Sequence, residues 1–364
     1  MQNIVLLSWL SSAVLPPGTV DFPVKLIGDN SWVELVFDGQ TVRFIPDTGG
    51  ADTFVLYKDA FGPSKCQTFA AGCYFCPGDS CAESEKENIT ARFLDGGTFT
   101  YFRHRATLNL RLQNSTGVKV SDYPLGVVKE YSPKTCDPSP ILALGKQPGF
   151  SRAPNSFIHQ LVRGSGGAVR RLAFPITFPR TSTDIGHLTA GGNPDPDWHA
   201  PFVTLHQNDS RGWILDIDEV GYRSRSESEA IHIAKARVLF DSGSDVIFGP
   251  TTEVRKLLSF IGKLVHLKGG KGLKIIDCSD ISKLPEIWFD VESDDELLTA
   301  RVFIEGKDYA VPFDDAGNCT IDISGGKNPP GPSFTWVIGV PLFKGHFVQF
   351  TYGIGSIAFA KKKV

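Results

Sequence analysis

Two short triplets, Asp47-Thr48-Gly49 and Asp241-Ser242-Gly243, constrain the fold of this 364-residue chain more than any other feature. They stand 194 positions apart, which is about the length of one domain. Each follows a strand-like stretch and leads into a turn of glycine and small residues. A single copy would be weak evidence, because Asp and Gly are common in ordinary turns. Two copies in matching contexts predict a duplicated lobe, with each copy contributing one carboxylate to a shared cleft.

A second repeated pattern lies downstream of each triplet. Pro140-Ile141-Leu142-Ala143-Leu144-Gly145 follows the first, and Trp336-Val337-Ile338-Gly339-Val340 follows the second. This arrangement resembles that of the pepsin-like aspartic proteases, as do the stretch from Cys278 to Phe289 and the segment FVQFTYGIGSIAFA. The resemblance covers about residues 25 to 364. It implies a bilobal, all-β fold with a few short helices and a cleft between two related β-barrel-like lobes.

We divide the chain into three parts. Residues 14–185 are predicted to form an N-terminal lobe with Asp47, and residues 186–364 a C-terminal lobe with Asp241. Residues 1–13 are either a signal peptide or an ordinary first strand, because the apolar run lacks the basic residues expected before it. No run reaches the roughly 20 apolar residues that a transmembrane helix needs.

Composition favours many short strands. Hydrophobic residues make up 41% of the chain and occur in short runs bounded by Gly, Pro, Asp and Asn. Trp32–Phe37 and Thr41–Ile45 predict a hairpin across an Asp38-Gly39 turn. Helices are predicted at Ser156–Val162 and Thr252–Leu264. The net charge of −3 argues against a nucleic-acid partner, because phosphate binding needs a basic surface.

Cysteines and glycosylation sequons favour the secretory pathway, with an extracellular or a lysosome- or vacuole-like destination. The sequons begin at Asn88, Asn114, Asn208 and Asn318. The clustered cysteines are Cys66, Cys73, Cys76 and Cys81. Two disulfides in this cluster are favoured over a zinc site, which would want four ligands in paired spacing. The resemblance implies a disulfide between Cys278 and Cys319, and Cys136 has no assigned partner.

By the resemblance, Asp47 and Asp241 are the catalytic pair. Two carboxylates held close together cannot both ionise, so they share one proton. The charged member activates a water as general base, and the protonated member polarises the carbonyl and then protonates the leaving amine. This chemistry uses no metal or other cofactor. The resemblance further implies an extended polypeptide substrate and a monomeric enzyme.

The neighbouring triplet residues have mechanical roles. Gly49 and Gly243 lack a Cβ, so backbone N–H groups can approach the carboxylates. In the family, the hydroxyls at Thr48 and Ser242 bond across the lobes, and Ser244 keeps a supporting hydroxyl beside the second carboxylate. The alternative is two Asp-Thr/Ser-Gly turns that never meet.

A hairpin flap is expected over the cleft, because Ile89–Phe99 stands where the family has one. Its substrate-binding residues would be Phe93, Leu94, Asp95, Gly96 and Gly97. A flap excludes water and holds the scissile bond near attack geometry. Any hairpin with an Asp-Gly-Gly tip would have the same sequence, so an ordinary hairpin is the alternative.

Several positions depart from the family. Phe93 and Phe54 replace a Tyr and a Trp whose polar tips meet, and losing both partners leaves neither unpaired. The other departures are Gly50 for Ser, Pro46 within a strand, Ala143 for Gly, Val340 for Asp, and no recognisable basic pro-segment.

Two functions follow from these observations. The leading prediction is an aspartic endopeptidase, because both triplets are retained. The alternative is a catalytically silent relative that binds peptides, glycans or another enzyme, which Pro46, Gly50 and the missing pro-segment favour.

Overall fold

A computed structural model describes most of the chain. The described residues are 17–28, 30–78, 80–81, 84–111, 117–133, 137–146, 156–192, 203–207, 209–225, 227–270, 273–293, 298–326 and 334–362. The predicted signal peptide at 1–13, Cys136, and the sequons at Asn114 and Asn208 lie outside the described residues.

The described chain is mainly β, which confirms the predicted fold class. The strands of its first half are β1 (Val20–Ile27), β2 (Asn30–Phe37), β3 (Gln40–Asp47), β4 (Phe54–Leu56), β5 (Ile89–Arg92), β6 (Thr98–Arg111), β7 (Gly117–Ser132), β8 (Ile141–Ala143), β9 (Ala173–Thr177) and β10 (Ile185–Ala190). Those of the second half are β11 (Val203–His206), β12 (Ile214–Arg223), β13 (Ser228–Phe240), β14 (Ile247–Pro250), β15 (Lys268–Gly270), β16 (Leu273–Asp277), β17 (Glu286–Glu292), β18 (Thr299–Ile304), β19 (Ala310–Pro312), β20 (Asn318–Ile321), β21 (Ile323–Gly326), β22 (Trp336–Ile338), β23 (His346–Thr351) and β24 (Ser356–Lys361).

Helices are short. They are α1 (Lys58–Thr68), α2 (Phe157–Gly164), α3 (Thr251–Leu264), α4 (Gly306–Tyr309) and α5 (Val340–Gly345), with 3₁₀ turns at Ser84–Lys86 and Cys278–Lys283. Both predicted helices are present, as α2 and α3, because each carries apolar residues at helical spacing that pack into the core. Helix α1 was not predicted and is interrupted at Gly62, whose φ of 75° is not helical. No described helix is long and apolar enough to span a membrane.

The predicted hairpin at the start of the chain is formed by β2 and β3. Asp38 and Gly39 both have positive φ, 49° and 80°, which is the backbone that a two-residue hairpin turn requires. Phe37 pairs with Gln40 across this turn, and Val33 pairs with Phe44 at the far end. Strand β3 therefore runs past its partner and ends at Asp47.

Three sheets organise the strands. The largest has the order β11-β24-β23-β9-β10-β1-β2-β3-β8-β4-β7-β6-β5, so it combines strands from the beginning and end of the chain. A second sheet has the order β18-β17-β12-β13-β22-β14-β21, and a third β15-β16-β20-β19. The predicted lobe boundary at 185/186 coincides with the start of β10. This strand pairs with β1 and β9. The division of the chain into lobes at this position stays a prediction.

The two triplets occupy the same place in a repeated strand arrangement. Strand β3 pairs in parallel with β8, β8 pairs antiparallel with β4, and β4 pairs in parallel with β7. Strand β13 pairs in parallel with β22, β22 antiparallel with β14, and β14 in parallel with β21. Asp47 ends β3, and Asp241 directly follows β13. The topology thus repeats around each aspartate.

Buried aromatic residues connect the two halves. Trp213 and Tyr352 both have their polar atoms within the core, where each donates a hydrogen bond to the carbonyl of Leu144, at 3.0 and 2.8 Å. Leu144 belongs to the segment that follows β8, whereas both donors come from the second half of the chain. The segment beside the first triplet is therefore held by side chains more than sixty positions away.

Three disulfides join described cysteines. The clustered cysteines pair among themselves, as Cys66–Cys73 and Cys76–Cys81, in loops of 7 and 5 positions. The Cys278–Cys319 bridge closes a loop of 41 positions. By chain-entropy arguments, a loop of that length stabilises the fold by about 3–4 kcal/mol.

Candidate active site

The structure brings Asp47 and Asp241 together. They are 9% and 8% exposed, and each carboxyl lies against the glycine of the opposite loop, close enough to shift the pKa of the other carboxyl. The arrangement follows from the repeated topology, because each residue stands where a strand leaves its parallel partner for a tight loop. The alternative of two separate turns is wrong for this structure.

Four buried hydrogen bonds tie the two loops together. The Thr48 hydroxyl donates to the Phe240 carbonyl at 2.8 Å and accepts from the Ser242 N–H at 2.9 Å. The Ser242 hydroxyl donates to the Pro46 carbonyl at 2.7 Å and accepts from the Thr48 N–H at 3.0 Å. Thr48 and Ser242 are both fully buried, so neither hydroxyl exchanges these partners for water. The loops are consequently fixed relative to each other.

Glycine is required at the third triplet position because the loops cross closely. The Gly49 N–H donates to the Asp47 carboxyl at 2.8 Å, and the Gly243 N–H donates to that of Asp241 at 3.0 Å. A Cβ at Gly49 would stand 2.6 Å from the carboxyl oxygen of Asp241. A Cβ at Gly243 would stand 2.5 Å from the Asp47 Cγ. Each glycine therefore supports its own aspartate and leaves room for the opposite one.

The environment favours protonation of the pair. Burial, the Asp241 charge and the hydrogen bond with Asp241 raise the pKa of Asp47 well above its usual value. Burial also raises the pKa of Asp241, and this increase is opposed by hydrogen bonds from Asp47 and from the N–H groups of Gly243 and Gly49. The pair titrates as a unit. These contacts favour one shared proton on the pair, which belongs to neither carboxyl alone.

Pro46 fits its strand without breaking a sheet hydrogen bond. Pro46 pairs with Leu142 of β8, and the N–H of the preceding residue, Ile45, donates toward β8, to the Pro140 carbonyl at 3.0 Å. Backbone N–H groups point alternately to the two sides of a strand, so the N–H that Pro46 lacks would point toward β2. Pairing with β2 ends earlier, at Phe44. Proline is therefore tolerated in this otherwise central strand.

The fourth position differs between the two loops. A Cβ at Gly50 would stand 2.6 Å from Asp47 Oδ2, so the carboxyl occupies space that a larger residue would need. The Gly50 N–H also hydrogen-bonds to Asp47. The Ser244 hydroxyl donates to the Val246 carbonyl at 3.3 Å, and the Ser244 N–H donates to the Asp241 carbonyl at 3.1 Å. Ser244 thus supports its loop through its backbone N–H, and its hydroxyl is bonded to the Val246 carbonyl.

A hairpin is present at the expected flap position, between β5 and β6. The Phe93 N–H donates to Gly97 at 2.8 Å, and the Gly96 N–H donates to Phe93 at 3.0 Å. Asp95 accepts from the Gly97 N–H at 2.7 Å, and Gly96 has a φ of 87°. Leu94 is 48% exposed at the tip. The hairpin geometry is explained by these residues, and substrate binding by them stays a prediction.

Aromatic packing joins this hairpin to β4, the strand that follows the first triplet loop. The Phe93 and Phe54 rings meet edge to face at 6.3 Å between centroids. Phe99 packs against Phe93 at 4.7 Å, and Tyr101 against Phe54 at 5.0 Å. Edge-to-face rings attract without a polar partner. The two departures from the family therefore face each other, as a coordinated replacement predicts.

One supporting pair beside the first loop was missed. The Thr53 hydroxyl accepts from the Ala143 N–H at 3.2 Å and shares a 3.0 Å hydrogen bond with the Tyr123 hydroxyl. Ala143 is the residue paired with Asp47 in the parallel β3–β8 ladder. Thr53 lies shortly after the first triplet, so its position in the sequence could have indicated a supporting role. No motif pointed to Tyr123, which lies 70 positions further along the chain.

Known proteins of one family resemble this chain. The eukaryotic aspartyl protease family matches residues 33–362. The chain is 24% identical to renin of Canis lupus familiaris over 201 residues, which cover 54% of this chain and 46% of that renin. It is 28% identical to cathepsin D of Clupea harengus over 180 residues, which cover 48% of this chain and 42% of that protein. The matched stretches span less than half the length of these relatives. Because the family match extends over most of its length, the chain belongs to the eukaryotic aspartyl protease family.

Proposed function

We propose that the chain is an aspartic endopeptidase that hydrolyses peptide bonds with a water activated between Asp47 and Asp241. The observation that carries the proposal is the pairing of two buried carboxyls from repeated loops that are tied by four buried hydrogen bonds. Carboxyls held this close share one proton, which provides a base and an acid in one site. Membership of the aspartyl protease family supports the same reaction class.

The two carboxyls take different roles in this mechanism. The charged member of the pair removes a proton from the water, which then attacks the peptide carbonyl. The member that carries the shared proton donates a hydrogen bond to the carbonyl oxygen as negative charge develops there. A proton then passes from the pair to the leaving nitrogen. The backbone N–H groups of Gly49 and Gly243 hold both carboxyls in position during these steps.

The proposed substrate is a polypeptide in an extended conformation, bound by a monomer of this chain. The hairpin tip at Phe93–Gly97 would cover it and exclude water from the reacting groups. The packing of Phe93 against Phe54 supports this role, because it connects the hairpin to β4, the strand that follows the loop of Asp47.

A catalytically silent binding module is the competing function. Pro46 and Gly50 suggested it, but neither residue disturbs the carboxyl pair. Pro46 leaves the β3–β8 ladder complete, and Gly50 provides the space that the Asp47 carboxyl occupies. These observations favour the endopeptidase.

Incubation with an unfolded protein substrate tests the proposal. We expect cleavage at acidic pH and inhibition by a peptide with a central hydroxyl group that imitates the tetrahedral intermediate. The Asp241→Asn variant is the matched control, because it is nearly isosteric. Absence of cleavage by the wild-type protein from pH 3 to about 7 would favour the silent module.

We also propose that the protein enters the secretory pathway. The three disulfides support an oxidising environment. Of the two described sequon asparagines, Asn88 is exposed before β5, whereas Asn318 lies in β20 and donates to Asp314 at 2.8 Å. Peptide mapping of protein from a eukaryotic host should therefore find a glycan at Asn88 more often than at Asn318. Equal modification of both would contradict this ranking.

A further inference from the structure

An open cleft lies between helix α3 and the paired ends of β12 and β13. Its volume is about 370 Å³. Tyr222 and Glu229, which pair across the two strands, line one side. The polar residues that line the helix side are Thr252, Arg255, Lys256, Ser259 and Lys263. None of the described lining residues belongs to the loops of Asp47 and Asp241, so the cleft is separate from the candidate active site.

Helix α3 has a different chemistry on each of its faces. Leu257 and Ile261 are buried in the core. Lys256, Ser259 and Lys263 are exposed and follow one another at intervals of three and four residues. Side chains at this spacing lie on one face of a helix. Because a helix rises 1.5 Å per residue, the two lysines stand about 10 Å apart along its axis. The cations of the cleft therefore form a line.

Positive charge is concentrated in this part of the chain. Residues 254–276 include six Lys or Arg and no Asp or Glu, although the whole chain has a net charge of −3. The three cations that line the cleft form no ion pair with any residue that the structure describes. Glu229, the carboxylate of the lining, hydrogen-bonds instead with the Tyr222 hydroxyl. Like charges that stand together without counter-ions attract ligands of the opposite sign, so the cleft favours an anion.

We propose that this cleft binds a sulfated glycan. Sulfate groups accept charge-assisted hydrogen bonds from Lys and Arg side chains. A sulfated glycan repeats these groups along its length, as the cations repeat along α3. The exposed hydroxyls of Thr252 and Ser259 can donate to sugar oxygens, and the Glu229 carboxylate can accept from sugar hydroxyls. Glycan binding here leaves the cleft of the aspartate pair free, because the two sites share no described residue.

The same lining disfavours a single-stranded nucleic acid. Proteins that bind such strands stack the bases on aromatic side chains. The aromatic residues of the cleft, Tyr222 and Phe260, are 2% and 3% exposed and pack against each other with 4.4 Å between ring centroids. They are therefore not available as stacking surfaces. The accessible part of the described lining consists of cations, hydroxyls and one carboxylate, which suits a sulfated sugar better than a base.

Fluorescence anisotropy of a short, labelled heparin oligosaccharide tests the proposal on the full chain. The affinity of the wild type should fall about 20- to 40-fold between about 50 and about 200 mM salt, as expected for three cations in contact with a polyanion. Lys256→Gln/Lys263→Gln should bind about 10- to 30-fold more weakly. Arg111→Gln/Lys119→Gln is the matched control, because it removes the same charge from exposed positions of β6 and β7. Ser259→Trp keeps every charge but fills the cleft, so it should also weaken binding.

Several results would overturn the proposal. They are no detectable binding, equal weakening in the two double variants, wild-type affinity in Ser259→Trp, and undiminished binding after the sulfate groups are removed from the oligosaccharide. Tighter binding of a DNA oligonucleotide of equal charge would identify a nucleic-acid surface instead. Circular dichroism checks that each variant is folded. Because anisotropy measures binding without peptide hydrolysis, a failure of this proposal is distinguishable from a failure of the proposed protease activity.

Discussion

The loops of Asp47 and Asp241 share a scaffold but differ at their fourth residue. In both, a strand end pairs in parallel with a short apolar strand, and a hydroxyl residue bonds to the opposite loop. Beyond the glycine, the first loop has Gly50 against the Asp47 carboxyl, and the second has Ser244 with its hydroxyl on Val246. The contacts that cross between the loops match, and so do the N–H bonds of Gly49 and Gly243 to their own carboxyls, whereas the contacts made by the fourth residue do not. Symmetry is thus kept where the two carboxyls must meet.

The carboxyl pair offers the largest test of this comparison. Although the loops differ, Asp47→Asn and Asp241→Asn should each lower kcat by about 10³-fold or more, because the acid and the base act as one unit. The double variant should be no worse than either single one. Initial rates on one peptide measure this. A single variant with more than a tenth of wild-type activity would show that the carboxyls act independently.

The pH dependence of folding stability should also reflect the protonation of Asp47 and Asp241. Both folded-state pKa values lie above the usual 3.8, so the folded protein holds more protons than the unfolded chain above that pH. The wild type therefore loses stability as pH rises from about 4 toward 7, and Asp47→Asn should lose less. Thermal unfolding of both proteins across this range should show a Tm difference that grows with pH. A difference that shrinks would reverse the assigned direction of the pKa shifts.

Adding a methyl group at the crossing glycines should have the next largest effect. Gly49→Ala and Gly243→Ala would each push on the opposite carboxyl, and a displacement of about 1 Å can cost about 10²-fold in rate. The two losses should be similar, because the crossing is reciprocal. Gly269→Ala is the control, since a Cβ there meets nothing within 4 Å. A loss confined to one of the two loops would break the symmetry.

Removal of the crossing hydroxyls should mainly affect stability. Thr48→Val and Ser242→Ala each strip a buried hydroxyl from two hydrogen bonds, which costs about 1–3 kcal/mol. Because the two residues contact each other, a double-mutant cycle should give a coupling of at least about 0.5 kcal/mol. Thr68→Val, whose exposed hydroxyl bonds only within its own turn, should be near neutral in denaturant unfolding. Additive losses would mean that the loops are not coupled through these groups.

The smallest predicted effect separates Gly50 from Ser244. Gly50 does not have positive φ, so Ser can adopt its backbone, but the added Cβ must displace the Asp47 carboxyl. In Gly50→Ser a hydroxyl beside Asp47 would favour its charged form and move the acid limb of kcat/KM down by about half a pH unit, with a lower kcat. Ser244→Gly should leave the limb in place, because its hydroxyl faces Val246. Equal shifts of the acid limb in both variants would refute the proposed difference between Gly50 and Ser244. The absence of a shift in a folded Gly50→Ser variant would also refute it.

Local sequence patterns predicted the parts of the fold that depend on neighbouring residues. The Asp38-Gly39 turn, the α3 helix and the two aspartate loops each have a short signature, because turn backbones and helical faces impose one. The Thr53–Tyr123 contact and the Gly62 interruption of α1 were missed. Contacts between distant strands depend on the order of the strands in the sheet. The sequence of neither strand contains a repeating pattern that reveals this order. Sequence therefore identified the carboxyls, but not the side chains that position their strands.

The strand order of the largest sheet also determines when its strands can pair during synthesis of the chain. Strand β9 pairs with β23, about 170 positions later, and β24 is needed before β11 can join. While the ribosome is still producing the second half, β9 presents an unpaired edge and Leu144 lacks its partners Trp213 and Tyr352. A growing chain therefore contains Asp47 long before it contains a partner for it. The pair that would cut polypeptides is assembled only when most of the chain has emerged.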